Sequence, residues 1–221
     1  MGRLARFGAG ACLMRQGETG DCVMVLRRGH VKIENRDTEG RVRLLGIRRP
    51  GELLGEMAFF AEGRRTASVV AHDEVAVVKI PGHRFLRFLY DHPLVQGDIL
   101  RLVVGKLHKL ESKRLEGGPG TAVPRLLRVL VEVAEVYADD PASGSLLVPL
   151  TQEELGQLAE ISGPSAHRAV QALRRRNLLD PMPRKRKVLV PCLRCLRAAL
   201  SRQICGEDIN GCGGTGECPE R

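Results

Sequence analysis

Apolar and polar positions in the N-terminal third of the chain alternate in short runs broken by regular turn signals. Cys22–Leu26, His30–Glu34, Arg41–Gly46, Val69–Ala71 and Val75–Ile80 are the predicted strands, with turns at Arg27–Gly29, Thr38–Gly40 and Asp73–Glu74. Many short strands at even spacing point to a β-sandwich or barrel. One stretch interrupts them: Gly51–Ser68, G-E-L-L-G-E-M-A-F-F-A-E-G-R-R-T-A-S, whose centre, Glu52–Phe60, reads as a short helix.

From Pro81 the period becomes helical. Gly82–Tyr90 predicts a short helix, and a long one follows from Pro93 to about Glu116. Leu94, Ile99, Leu102, Val103, Lys106, Leu107 and Leu110 fall at helical spacing on it. One apolar stripe on so long an element suits a two-stranded dimer seam; packing on its own β-domain is the alternative. Gly117-Gly118-Pro119-Gly120 ends the helix and marks a domain boundary.

Beyond it, Thr121–Tyr137 is a predicted helix, Asp139–Gly144 a loop and Leu146–Leu150 a short strand. Thr151-Gln152-Glu153-Glu154 is a capping box opening a helix over Glu153–Glu160. Ser162 caps a second, basic helix that has Pro164 in its first turn and runs to about Arg176. Two short helices joined by a tight glycine-containing turn predict a helix-turn-helix. Asn177–Asp180, the basic Arg184–Lys187 and Val188–Val190 read as a β-hairpin wing. The expected organisation is a β-domain over 1–92, a dimerisation helix over 93–117, a DNA-binding domain over 118–200 and a Cys/Gly-rich tail over 201–221.

Charge gives this layout a partner. The chain carries a net charge of +9 over 221 residues. Between Ser162 and Arg202 stand eleven Lys and Arg against one acid, Asp180. A concentrated basic block points to a polyanion, nucleic acid first. No apolar run approaches the roughly 20 residues that span a bilayer, and M-G-R-L-A-R-F-G has no signal-peptide core, so a cytoplasmic protein without a membrane partner is expected.

In Gly51–Ser68, Gly55 lets backbone N–H groups approach an anion. Arg65 offers it a planar fork of donors. Glu56 can accept from a sugar hydroxyl but repels phosphate. The stretch thus carries the chemistry to hold a phosphate and a sugar; a glycine-rich turn with a solvated Glu and Arg is the alternative reading. No Ser-His-Asp, Cys-His or paired-carboxylate arrangement has positional support, so no enzyme is expected. Cys192, Cys195, Cys205, Cys212 and Cys218 crowd the C-terminus. Their thiolates could hold zinc or an iron–sulfur cluster or act in redox chemistry, the alternative being a reduced, disordered tail.

These parts in this order resemble the Crp/Fnr family of bacterial transcription regulators, over about Phe7–Leu200. Gly51–Ala67 is similar to the family's phosphate-binding cassette, and Leu150–Leu179 to its winged helix-turn-helix. The resemblance implies an α+β chain: an N-terminal β-roll of the cyclic-nucleotide-binding jelly-roll type, a long dimerisation helix and a C-terminal winged helix-turn-helix. It implies a homodimer on double-stranded DNA, RNA polymerase as a further partner, and a cyclic nucleotide, cAMP or cGMP, as effector. Carried over by position, Glu56 accepts from the ribose 2′-hydroxyl and Arg65 pairs with the cyclic phosphate. Thr66 and the backbone around Gly55, Met57 and Ala58 complete the cradle. Where the family places a Thr-Ser pair against the base, this chain has Leu110 and Glu111, with Ser112 after them; Glu111 is the candidate base contact, and the base is left unassigned. On the recognition helix, Gly163 and Pro164 replace an Arg and a Glu that read bases. Arg168 becomes the leading base reader, or a phosphate clamp, with Ser162, Ser165, His167 and Gln171 near it and Arg174 and Lys185 on phosphate. One other reading moves the sensor to the C-terminal cysteines over an unliganded roll. Another makes the chain a nucleotide-binding module of a partner enzyme, against which the helix-turn-helix and basic block argue.

Overall fold

The computed structural model describes residues 2–115, 122–138, 145–181 and 187–204, apart from the side chains of 109–115 and 203–204. The chain divides into two compact units, Met1–Gly117 and Gly118–Arg221.

The first unit is built on strands β1 (Arg3–Phe7), β2 (Cys12–Met14), β3 (Cys22–Arg28), β4 (Val31–Arg36), β5 (Val42–Arg48), β6 (Leu53–Leu54), β7 (Ser68–Ala71) and β8 (Val75–Pro81). They form two four-stranded sheets, ordered β1-β8-β3-β6 and β2-β7-β4-β5, with antiparallel pairing throughout. Central strand β3 buries Val23, Met24 and Leu26. Leu26, Val31 and Val77 are fully buried in one shared cluster, each worth about 1.5–3 kcal/mol for its side chain. The β4–β5 turn is closed by Asp37, whose Oδ1 accepts the N–H groups of Glu39 and Arg41. The Arg41 side chain bonded to Asp37 holds its carboxyl below the usual range.

Three helices complete this unit: α1 (Glu56–Phe60), α2 (Gly82–Asp91) and α3 (Pro93–Leu115). The structure corrects three expectations here. The short helix does not begin at Glu52, because Leu53 and Leu54 pair with Val25 and Met24 as an edge strand. Strand β1 was not expected. The apolar stripe of α3 is not single. Val95 and Ile99 pack on a cluster of Val23, Phe85 and Leu89, whereas Leu94, Leu100 and Leu107 are exposed. At 3.6 residues per turn, Leu94 and Ile99 point about 140° apart, so the helix carries two apolar faces.

The second unit is organised on α4 (Ala122–Tyr137), which packs against β9 (Leu146–Val148), α5 (Gln152–Leu158), α6 (Gly163–Arg175) and α7 (Leu193–Ile204). Leu126, Leu127, Leu130 and Ala134 of α4 are fully buried. Thr151 caps α5 in the expected box: its Oγ1 accepts the Glu154 N–H at 3.1 Å, and Glu154 Oε2 accepts the Thr151 N–H at 2.8 Å. The wing differs from expectation. Strand β10 (Val188–Val190) pairs with β9, Val188 opposite Val148, not with Asn177–Asp180. Leu178 and Leu179 are both buried but belong to no strand. Asn177 instead turns the chain out of α6 with φ 57°, and one bond, Asp180 N–H to the Leu189 carbonyl, ties the turn to β10.

Candidate functional site

Among the described residues two charged side chains are buried, Glu56 and Arg65, at 3% and 5% exposure. Burying a charge is costly unless it is compensated. Arg65 Nη1 donates to the Gly55 carbonyl at 2.7 Å, and Nη2 to the Cys22 carbonyl at 2.6 Å. Carbonyls satisfy donors without cancelling charge. The carboxylate of Asp21 stands 4.0 Å away and is largely exposed. Cys22 Sγ lies 3.6 Å from Nη2, and burial pushes its thiol above the ordinary range. Glu56 is compensated differently: its Oε1 accepts from Lys106 Nζ of α3 at 2.5 Å.

Gly55 joins these groups. It sits at φ 81° as the cap of α1, and a Cβ there would lie 2.5 Å from Arg65 Nη1 and 2.8 Å from Met14 Sδ. Left-handed backbone costs a non-glycine residue about 1–2 kcal/mol. Gly55→Ala is therefore expected to displace Arg65 and lower the melting temperature by several degrees, as a thermal unfolding curve would show. An unchanged curve would mean the cradle tolerates a Cβ.

Gly55, Glu56, Met57, Ala58, Arg65 and Thr66 all line one cavity of about 100 Å³. Sequence reasoning placed these six together by resemblance; the structure brings them together in space. It adds Lys106 and Arg48, which also line the cavity. The signal for Lys106 was a cation interrupting an apolar helical series. The side chains of Leu110, Glu111 and Ser112 lie outside the described residues, as does Lys185.

In the second unit, Ser162 occupies the N-cap of α6. Its Oγ donates to Ser165 Oγ at 2.9 Å, and Arg168 Nη2 donates to the same Ser165 Oγ at 3.2 Å. Ala166, Ala169, Val170 and Leu173 are buried, while Ser162, Gly163, Pro164, His167 and Arg168 are exposed and Gln171 is half-buried. Arg174 Nε donates to the Asp180 carbonyl at 3.0 Å, holding the turn after α6. Gly156 of α5 lets α6 approach closely, since a Cβ there would lie 2.8 Å from the Ala166 Cβ. That contact gave no signal in the sequence beyond a glycine in a helical run.

Cys192 directly precedes α7, and Cys195 is in its first turn. Among the described residues no group of three His, Cys, Asp or Glu side chains could hold a metal ion; Cys205, Cys212 and Cys218 lie outside them. No helix among the described residues is long and apolar enough to cross a membrane.

Residues 4–92 match the cyclic nucleotide-binding domain, and residues 124–199 the Crp-like helix-turn-helix domain. A CRP-like cAMP-activated global transcriptional regulator of Mycobacterium tuberculosis is 30% identical over 167 residues, covering 74% of each chain. Among solved structures, FixK2 from Bradyrhizobium japonicum superposes with a TM-score of 0.72 at 15% identity, covering 97% of this chain and 100% of that one. TTHA1359, a transcriptional regulator from Thermus thermophilus, does so at 0.69 and 22% identity, covering 90% and 98%. With both domains matched in order around a buried arginine and a capped recognition helix, the chain belongs to the Crp/Fnr family of transcription regulators.

Proposed function

We propose that the β-roll cavity binds a cyclic nucleotide and that this controls how a homodimer engages operator DNA. The observation that carries the reading is Arg65: a buried guanidinium bonded to two carbonyls. A cyclic phosphate is a fitting counter-charge, because it accepts several N–H bonds and takes backbone donors at the Gly55 turn. Glu56 faces the same cavity and suits a ribose hydroxyl.

The cavity of about 100 Å³ is below the roughly 300–1,000 Å³ of pockets that enclose such ligands. Entry of the nucleotide therefore has to move Lys106, the side chain that α3 sends to Glu56. This makes α3 the element that reports occupancy. The ligand shifts an equilibrium only through differential contacts in two states, and the Lys106–Glu56 pair is one contact that differs.

The exposed face of α3 supports a dimer. Leu100, Val104 and Leu107 recur at steps of four and three, the spacing of a coiled-coil seam. A groove of about 790 Å³ beside it is lined by Phe60, Leu86, Tyr90, Ile99 and Val103, and a second copy's α3 is its proposed occupant. A two-fold dimer would set its two α6 helices in successive major grooves, about 34 Å apart, on a near-palindrome. Such a protein works as a regulator rather than an enzyme, in the cytoplasm, with RNA polymerase as its further partner.

Calorimetric titration with cAMP and cGMP, paired with mobility shifts on promoter DNA, tests this. Saturable heat with one nucleotide, and sharper DNA binding in its presence, is expected. No heat with either would overturn the effector reading; no specific shift under any condition would overturn the operator reading.

A further inference from the structure

The effector cavity and the recognition helix leave one chemically able pair unused. Cys192 occupies the N-cap of α7 and Cys195 is the third residue of that helix. The Cys195 N–H donates to Cys192 Sγ at 3.3 Å. Both side chains are half-buried, and so within reach of a small reagent. Leu193 and Leu196, beside them, are fully buried and anchor the backbone that carries the two thiols.

The spacing suits an internal bridge. Residues three apart on a helix have Cβ atoms about 5–6 Å apart, and a disulfide requires about 3.5–4.5 Å. Cys192 lies outside the helix proper, so rotation at that one residue can close the gap without unwinding α7. The Cys195 N–H aimed at Cys192 Sγ fixes that sulfur over the N-terminal turn of α7, beside the second thiol.

We propose that Cys192 and Cys195 are a thiol–disulfide exchange site whose substrates are low-molecular-weight disulfides. The Cys192 thiolate attacks one sulfur of the small disulfide. That S–S bond breaks, and one small thiolate leaves and takes a proton. Cys195, giving up its proton, then attacks Cys192 Sγ in the mixed disulfide and expels the second small thiol. The two protein thiols lose two electrons and two protons, and one small disulfide becomes two thiols.

The test uses the full chain treated with oxidised glutathione, after which remaining thiols are alkylated and the protein is cut with trypsin. Because Arg194 lies between the cysteines, trypsin separates Val188–Arg194 from Cys195–Arg197. The expected product is these two peptides joined, split again by dithiothreitol. Cys195→Ser should stop at the first step and accumulate glutathione on Cys192; Cys195→Ala, read the same way, guards against an effect of the serine on folding. Alkylation of both thiols in the oxidised sample would overturn the proposal. So would bridges from Cys192 or Cys195 to Cys205, Cys212 or Cys218, or protection of both thiols by added zinc in place of a bridge.

Discussion

Arg65→Gln is expected to abolish measurable cyclic nucleotide binding while leaving a folded protein. The buried guanidinium can give a phosphate two charge-assisted hydrogen bonds, each worth about 1.5–3 kcal/mol. Losing them should weaken binding by about 3–6 kcal/mol, roughly 10²–10⁴-fold. Arg65 also holds the Gly55 and Cys22 carbonyls. Glutamine keeps an N–H₂ donor for one of them, so one unmatched carbonyl remains at a cost of about 1–3 kcal/mol. A calorimetric titration run beside a melting curve separates the two effects. A modest fall in melting temperature with binding gone is the expected pair of results. Unchanged affinity would sink the assignment of Arg65 to the phosphate, whatever happened to stability.

The parts legible in the sequence were those whose causes are local. Thr151 and Glu154 satisfy each other three residues apart, so the capping box could be read and is present in the structure. Ser162 and Pro164 marked the start of α6 in the same way. Strands β3, β4, β5, β7 and β8 of the roll followed from alternation; β1, β2 and β6 were not among the expected strands. Arg3-Leu4-Ala5-Arg6-Phe7 has an edge strand's exposed pattern and borrows its order from pairing with β8.

What the sequence hid depends on distant partners. Lys106 looked like an intruder in an apolar helix until the fold brought Glu56, fifty residues earlier in the chain, to its ammonium. The wing was misread because β10 had two candidate partners, and its register against Leu146–Val148 shows that the more distant one is taken. Glu56 and Arg65 could be named from spacing and resemblance. Their burial, which sets them apart from a solvated pair, came from the sheets around them.

The recognition helix supports a prediction of comparable size. Gly163 and Pro164 stand at its exposed start and carry no side-chain donors for base edges. Sequence reading therefore falls on few groups, and Arg168 is the most capable of them. Ser165 Oγ accepts from its Nη2, which restrains the guanidinium near Ser162 before DNA arrives and lowers the ordering cost of a contact. A bidentate contact from arginine to guanine discriminates by about 1–3 kcal/mol. Arg168→Ala should thus lose about 5- to 150-fold in affinity for the preferred operator and become indifferent to the base it reads. Binding to unrelated DNA should change little. If Arg168 instead clamps phosphate, affinity would fall evenly across sequences, and the salt dependence would lose about one phosphate's worth of slope. Anisotropy titrations on the preferred operator, on operators altered one base pair at a time and on random DNA, each at two salt concentrations, tell these apart. An even loss across all sequences would remove Arg168 from base reading and leave it to Ser162, Ser165, His167 and Gln171.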